Sequence, residues 1–169
     1  MDPGTLQAFS VVVAVLAVVV AMVNLASQVR RHTQSLQSQN YAKALDRLAA
    51  VQSHLSMNAA ASQIFSRGVR DAGSLTPEER IQFSWIFYEM FGTFEFMFDE
   101  ARRGTLPPHV WDRWAVTLSW WISMPGVQAW WSARPTPFNP RFSDFVEACI
   151  KKPLFDSDAA ERWRKFLAA

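Results

Sequence analysis

The sequence predicts an all-α protein with a single N-terminal transmembrane helix, a polar helical stalk and a compact, aromatic-rich helical domain. Three observations predict this fold class. Twenty-one consecutive residues near the N-terminus carry no charge, apolar residues then recur at three- and four-residue spacing, and no alternating run of β-branched residues follows. With 169 residues, half of them apolar, the chain provides material for one domain core. We expect the N-terminal tail and anchor at residues 1–29, the stalk and a first amphipathic helix at 30–73, and the helical domain at 74–169.

The uncharged stretch runs from Leu6 to Ala26 and has the length of a membrane span. At roughly 1.5 Å per residue it forms a helix of about 31 Å, which matches a hydrocarbon core of about 30 Å. A cleaved secretory signal would carry positive charge before its apolar run and a small-residue cleavage site after it, and the sequence has neither. All 17 Lys and Arg residues follow the stretch. Since they favour the cytoplasmic flank, we expect an uncleaved anchor in the inner (plasma) membrane, with the N-terminus outside and the C-terminal domain in the cytoplasm.

An amphipathic stripe follows the polar stalk of residues 32–40. No Pro or Gly occurs between Gly4 and Gly68, so the helix can continue beyond the span. The stripe covers only about two heptads, fewer than the three or four that indicate a coiled coil, and core packing is therefore the favoured interpretation. A homo-oligomer stays open as the alternative. The stripe consists of Tyr41, Ala44, Leu48, Val51 and Leu55.

Four helices are expected in the C-terminal part of the chain, near residues 77–103, 108–123, 140–152 and 158–167. The first begins at a capping box, in which Thr76 caps the helix, Pro77 occupies its first turn and Glu79 reaches back to the cap. Gly104 ends it. Pro108 opens the second helix, and a short helical piece follows Pro125 and Gly126. Asn139 and Pro140 form a cap and a first turn for the next helix, on which we expect Cys149 to face inward.

The sequence contains no motif of an established catalytic or cofactor site. Its three histidines are His32, His54 and His109, which are too scattered for a zinc motif, and no Glu-x-x-His pair is present. Phosphate-binding loops, dinucleotide-binding glycines and the esterase nucleophile motif are also absent. A single cysteine excludes an internal disulfide, and the near balance of 17 basic and 15 acidic residues gives no support to nucleic-acid binding. We therefore expect no catalytic residue, no metal and no cofactor.

Glu95 is the acid whose setting is most unusual, because Phe94 and Phe96 flank it. If this carboxyl is buried, it would resist ionisation and could transfer a proton. The favoured interpretation is an ordinary surface acid, or one that pairs with an arginine such as Arg102 or Arg113.

Tryptophans are concentrated between residues 111 and 131, where six of the eight lie. Core filling explains part of this concentration. Adjacent tryptophans on a helix, however, point about 100° apart, so at least one of each pair is expected to reach a second surface. That surface would contact a partner protein, the lipid headgroups or a ligand, since Trp and Arg are favoured interface anchors. The candidate surface consists of Trp111, Trp114, Trp120, Trp121, Trp130, Trp131, Arg113 and Arg134.

The C-terminal half combines a Trp-rich helix with a pattern of spaced Pro, Trp, Arg and Phe residues. Together with the anchor and stalk, this pattern resembles small, membrane-anchored, uncharacterised helical proteins of bacteria, over the span and residues 76–150. The resemblance implies an architecture and a bacterial setting, and it provides no catalytic residue. The residues that carry it are Pro125-Gly126, Trp130-Trp131, Arg134, Phe138, Pro140 and Phe142.

These observations favour a membrane-tethered, non-catalytic protein-interaction module, in the form of an accessory or assembly subunit of a larger membrane complex. The expected partners are the lipid bilayer and another membrane or membrane-associated protein. The alternative is a membrane-anchored sensor or enzyme that binds a small ligand in the Trp-rich helical bundle.

Overall fold

The chain is all-helical, as the sequence predicts. The computed structural model describes residues 3–134, 137–156, 158, 161, 162 and 165, and it describes side chains from residue 18 onward except that of residue 34. Within these residues there is no β-strand. The helices are α1 (Pro3–Met57), α2 (Ala59–Arg70), a short 3₁₀ helix (Ala72–Ser74), α3 (Pro77–Arg102), α4 (Pro108–Ile122), α5 (Pro125–Ala133) and α6 (Pro140–Lys151).

The chain divides into two units, Met1–Asn40 and Tyr41–Ala169. In the first unit, α1 exposes apolar side chains on successive residues, and Val18, Val20 and Met22 are each more than half exposed. None of the described helices combines the length and hydropathy of a membrane span. The side chains of residues 6–17, which begin the predicted span, lie outside the described residues, so the anchor stays a prediction. The predicted boundary between anchor and stalk after residue 29, and that between stalk and helical domain after residue 73, also stay predictions.

Helix α3 lies at the centre of the second unit. Its capping box is present, because the Thr76 hydroxyl accepts from the Glu79 amide at 3.2 Å and the Glu79 carboxylate accepts from the Thr76 amide at 3.0 Å. Its buried face is almost entirely aromatic or Met, and large rings of this kind dominate core energetics. Helices α2 and α4 both pack against it. The buried apolar residues of α3 are Phe83, Phe87, Met90, Phe91, Phe94, Met97 and Phe98.

Helix α3 is followed by a glycine in the left-handed conformation, as is common at helix C-termini. Gly104 adopts a φ of 74°, a left-handed conformation that residues with a Cβ rarely adopt. The Thr105 and Leu106 amides then both donate to the Glu100 carbonyl, at 2.9 and 3.1 Å. The chain therefore reverses toward α4 within a few residues.

Helices α2 and α5 cross at two glycines. A Cβ on Gly126 would lie 1.7 Å from the Gly68 carbonyl oxygen, and a Cβ on Gly68 would lie 2.4 Å from the Phe83 ring. No larger residue fits at either position without moving its neighbours. This contact places the start of α5 directly on α2.

The amphipathic stripe of α1 packs into the core, as the sequence favours. Ala44 and Leu48 are buried, while Tyr41, Val51 and Leu55 are half-buried. Asn139 caps α6 as predicted, by accepting from the Arg141 amide at 3.0 Å. The helix predicted near residues 158–167 lies largely outside the described residues, and it stays a prediction.

Candidate functional site

The α4 tryptophans pack against α3 and α1 while part of each ring stays accessible. Trp111 contacts Phe98 at a centroid distance of 5.4 Å, Trp114 contacts Phe94 at 6.2 Å, and Trp121 contacts Phe87 at 6.2 Å. Trp120 lies against Trp121, with centroids 4.4 Å apart, and both rings are half-buried. These side chains therefore join the core and leave an edge at the surface.

Both tryptophans of the α5 pair are buried, so neither provides a solvent-exposed surface, although Trp130 lines a cavity. Trp130 is 7% exposed and Trp131 is 1% exposed. Trp130 packs on Phe87 and Phe91 of α3, whereas Trp131 stacks on Phe138 at 5.4 Å with an interplanar angle of 11°. Two diverging side chains are both buried because α5 lies between α3 on one side and the segment leading into α6 on the other.

Arg134 extends over the indole of Trp131. Its guanidinium carbon lies 3.4 Å from the ring centroid, and the group donates to the Trp131 carbonyl. Its Nε is buried and has no hydrogen-bond partner among the described residues. Burial lowers the pKa of Arg134, while the charge of the Glu147 carboxylate opposes that effect. An arginine in this setting remains protonated at neutral pH, so it presents a fixed cation.

Arg113 connects α4 to α1. Its guanidinium donates to the Tyr41 hydroxyl at 2.9 Å, and Trp114 Nε1 donates to the same oxygen at 3.3 Å. Two hydrogen bonds to the Tyr41 hydroxyl therefore connect α4 to α1. Arg113 and Arg134 are thus not brought together in one site.

Glu95 binds a backbone group instead of an arginine. Its side chain is half-buried, and its carboxylate accepts from the Asn139 amide at the start of α6. Arg102, one of the expected partners, instead lies over the Phe98 ring at 5.6 Å. The contacts of Glu95 are those of a residue that positions α6.

The buried acid of α3 is Glu100, which the sequence analysis does not single out. It is 7% exposed, and it accepts from the Thr105 hydroxyl at 2.9 Å and from Arg103 at 3.3 Å. One feature of the sequence could have identified Glu100 as an acid with local hydrogen-bond donors. An acid in the last turn of a helix opposes the helix dipole and therefore requires local donors, which Arg103 and Thr105 supply.

Cys149 is buried on α6, as the sequence predicts. Burial raises the pKa of its thiol, and a hydrogen bond with Ser119 partly offsets that effect. A protonated, inaccessible thiol is a poor nucleophile. Among the described residues, no three His, Cys, Asp or Glu side chains converge to hold a metal ion.

Helix α3 has an exposed apolar face that is not among the sites predicted from the sequence. Trp85 is 69% exposed and Ile81, one turn earlier, is 60% exposed. Tyr88 contacts Trp85 at 6.2 Å and is half-buried. We call Ile81, Trp85 and Tyr88 the α3 surface. The helical periodicity of the sequence could have identified the α3 surface, because these three positions fall outside the buried stripe of α3.

A second feature is a cavity of about 350 Å³ beside α5. Its walls come from the 3₁₀ helix, α3 and α5, and two arginines, Arg80 and Arg134, line it. Trp130 belongs to its wall and donates from Nε1 to Ser84 Oγ at 3.0 Å. A smaller cavity of about 120 Å³ lies between α1, α3 and α4, with Trp114 and Trp121 in its lining.

No protein-family model matches the chain, and neither the curated proteins nor the solved structures include one that is significantly similar to it.

Proposed function

We propose that this protein is a membrane-tethered, non-catalytic interaction module, an accessory or assembly subunit of a larger membrane complex. The observation that carries the proposal is the α3 surface, where Trp85 is 69% exposed although both tryptophans of α5 are buried. Trp is among the residues most enriched at the energetic centres of protein interfaces. The exposed Trp85, with Ile81 and Tyr88 beside it, therefore supports partner binding at this face.

The tether is supported by the uncharged sequence from Leu6 to Ala26. Within the described part of this stretch, Val19, Met22 and Leu25 all have side chains that are at least half exposed. A helix that is apolar around its whole circumference is stable where lipid or protein covers it. We propose the inner (plasma) membrane as the location, with the chain after the span in the cytoplasm, on the basis of the charge distribution.

Membrane attachment and orientation are tested by alkaline carbonate extraction and by protease protection of a C-terminal tag in spheroplasts. The proposal expects the protein in the membrane pellet and the tag protected until the membrane is opened. A protein released by carbonate would contradict the tether. A tag that is cleaved in intact spheroplasts would contradict the orientation.

The α3 surface has a definite chemistry. At about 100° per residue, Glu78 and Glu89 fall on the same side of the helix as Ile81 and Trp85, and both acids are exposed. The face therefore combines an apolar centre with an acidic edge. We propose a partner segment with an apolar centre and flanking Lys or Arg residues, because opposite charges at the rim orient such complexes.

The experiment is native mass spectrometry of the tagged full-length protein after gentle detergent extraction. Wild type is compared with Trp85→Ser, Ile81→Ser and a control, Val116→Ser, which replaces an exposed apolar residue of α4 that is 41% exposed. We expect a stoichiometric partner with wild type and the control. Loss of a central tryptophan costs about 2 kcal/mol or more, which is about thirtyfold in affinity, so W85S releases that partner.

Two results would overturn the interaction part of the proposal. One is a partner retained by the I81S and W85S variants, and the other is a partner lost equally from the Val116 control. Because every substituted side chain is exposed, folding is preserved, and tryptophan fluorescence of each variant verifies this.

The second candidate is a membrane-anchored sensor or enzyme with a ligand against the tryptophan cluster. The cavity beside α5 favours it, because Trp130 and Arg134 belong to the sequence-predicted surface and both line that cavity. Titration with small organic anions, described next, tests this candidate.

A further inference from the structure

We propose that the cavity beside α5 binds a small organic anion with an aromatic or apolar body, of the class of an aromatic carboxylate. This inference goes beyond partner binding at the α3 surface. It rests on the charges, the walls and the size of the cavity.

Two guanidinium groups supply the charge. Arg80 of α3 and Arg134, which follows the last residue of α5, line the cavity, and the lining residues that the structure describes include no acid. Arginine forms paired hydrogen bonds with carboxylates, which makes it the preferred residue for recognising that group. A ligand with one carboxylate would therefore find two cationic residues in the cavity lining.

Both arginines are held in place before a ligand arrives. One Nη of Arg80 donates to the Gly73 carbonyl at 3.0 Å, which uses one of the donors on its guanidinium. Arg134 stacks on the Trp131 ring, with 3.4 Å between its guanidinium carbon and the ring centroid. A side chain that is already ordered loses less entropy on binding, so more of the interaction free energy appears as affinity.

The walls and the volume indicate an apolar body on the ligand. Phe83, Trp130 and three alanines line the cavity, together with the Ser84 side chain. The volume of about 350 Å³ falls at the lower end of the range of small-molecule pockets, about 300–1,000 Å³. Inorganic phosphate would leave the apolar walls uncovered, whereas a benzoate-sized anion covers them.

The test is isothermal titration calorimetry on the full-length protein in detergent, with saturation-transfer NMR as a second readout. The probes are benzoate, its neutral analogue benzamide and inorganic phosphate. The variants are Arg80→Gln and Arg134→Gln, and the matched control is Arg141→Gln, which removes an exposed arginine of α6 that lies away from the cavity lining.

We expect saturable binding of benzoate in the millimolar range or tighter. Loss of one charge-assisted hydrogen bond weakens binding by about tenfold or more, so R80Q and R134Q are expected to lose at least that factor. Benzamide is expected to bind at least about tenfold more weakly than benzoate for the same reason. R141Q is expected to bind as wild type does.

Three results would overturn the proposal: no saturable benzoate binding, equal binding by wild type and R80Q, or phosphate binding as tight as that of benzoate. Because Arg80 is exposed, R80Q keeps the test decisive even if R134Q disturbs the packing around Trp131. The W85S variant separates this proposal from the proposed function. It should lose the protein partner and keep its affinity for benzoate, whereas R80Q should keep the partner and bind benzoate at least about tenfold more weakly.

Discussion

Replacing Gly126 with alanine tests the close backbone contact between α2 and α5. The new Cβ would lie 1.7 Å from the Gly68 carbonyl oxygen, 2.9 Å from its carbonyl carbon and 3.1 Å from the Ala72 nitrogen. All three atoms belong to the backbone, so no side-chain rotation relieves the overlap. Helices α2 and α5 would have to separate by roughly 1.5 Å to restore van der Waals distances.

The cost follows from that separation. A gap of about 0.5–1 Å already forfeits a quarter to a half of the dispersion energy between facing atoms, and overpacked cores lose about 1–3 kcal/mol. Because the new Cβ clashes with backbone atoms, we expect a loss of stability at the upper end of this range, about 3 kcal/mol. The higher helix propensity of alanine returns up to about 1 kcal/mol. The net loss in the free energy of unfolding is about 2–3 kcal/mol, or a fall in Tm on the order of 10 °C.

The assay is thermal and urea unfolding followed by tryptophan fluorescence. All eight tryptophans lie between residues 85 and 163, so the signal reports on the unit that contains the crossing. The control is Gly92→Ala, because a Cβ on Gly92 has no atom within 4 Å. An alanine there should raise stability by about 0.5–1 kcal/mol through helix propensity. A Tm of G126A equal to that of wild type, or equal destabilisation by both alanines, would refute the reasoning.

Three further predictions concern single side chains. A hydrogen bond from the Thr76 amide lowers the pKa of Glu79, and Arg67 lowers it further, so the carboxylate stabilises the fold at neutral pH and this contribution is lost as pH falls through the folded-state pKa. Urea unfolding should therefore show wild type more stable than Glu79→Gln at pH 7 and equally stable in acid, whereas a constant difference would contradict this. Since Cys149 is buried and its pKa is raised, iodoacetamide labelling monitored by mass should be slow in the native protein and fast in urea, and rapid native labelling would count against the assigned burial. Asn58 caps α2 by accepting from the Ala61 amide at 3.1 Å, so Asn58→Ala should cost about 1 kcal/mol in urea unfolding, and an unchanged midpoint would show that the cap is dispensable.

Some features were predictable from sequence because they depend on neighbours within a few positions. The capping box at Thr76, the glycine at the end of α3 and the Asn139 cap each involve groups at most six residues apart. The helical period likewise depends on local geometry, so the buried stripes of α1 and α3 could be identified. The all-α class followed from these signals.

Other features depend on contacts between residues far apart in the chain. The α5 tryptophans diverge by local geometry, and both are buried only because α3 and the segment before α6 cover opposite sides of one short helix. Glu95 contacts an amide 44 residues away, a partner that no spacing rule identifies.

The sequence by itself determined which helix faces are apolar and where helices begin or end at Thr76, Gly104 and Asn139, since those properties are set within one or two turns. It did not identify the break at Asn58, where α1 ends and α2 begins. The tertiary structure alone decided which apolar faces remain in water and which charges share a cavity. Arg80 and Arg134, 54 positions apart, line one cavity because Trp130 packs on α3 and donates to Ser84, which places the end of α5 beside the start of α3. The exposure of Trp85 has the same origin, because burial depends on whether another helix covers a face, and among the described residues none covers that part of α3.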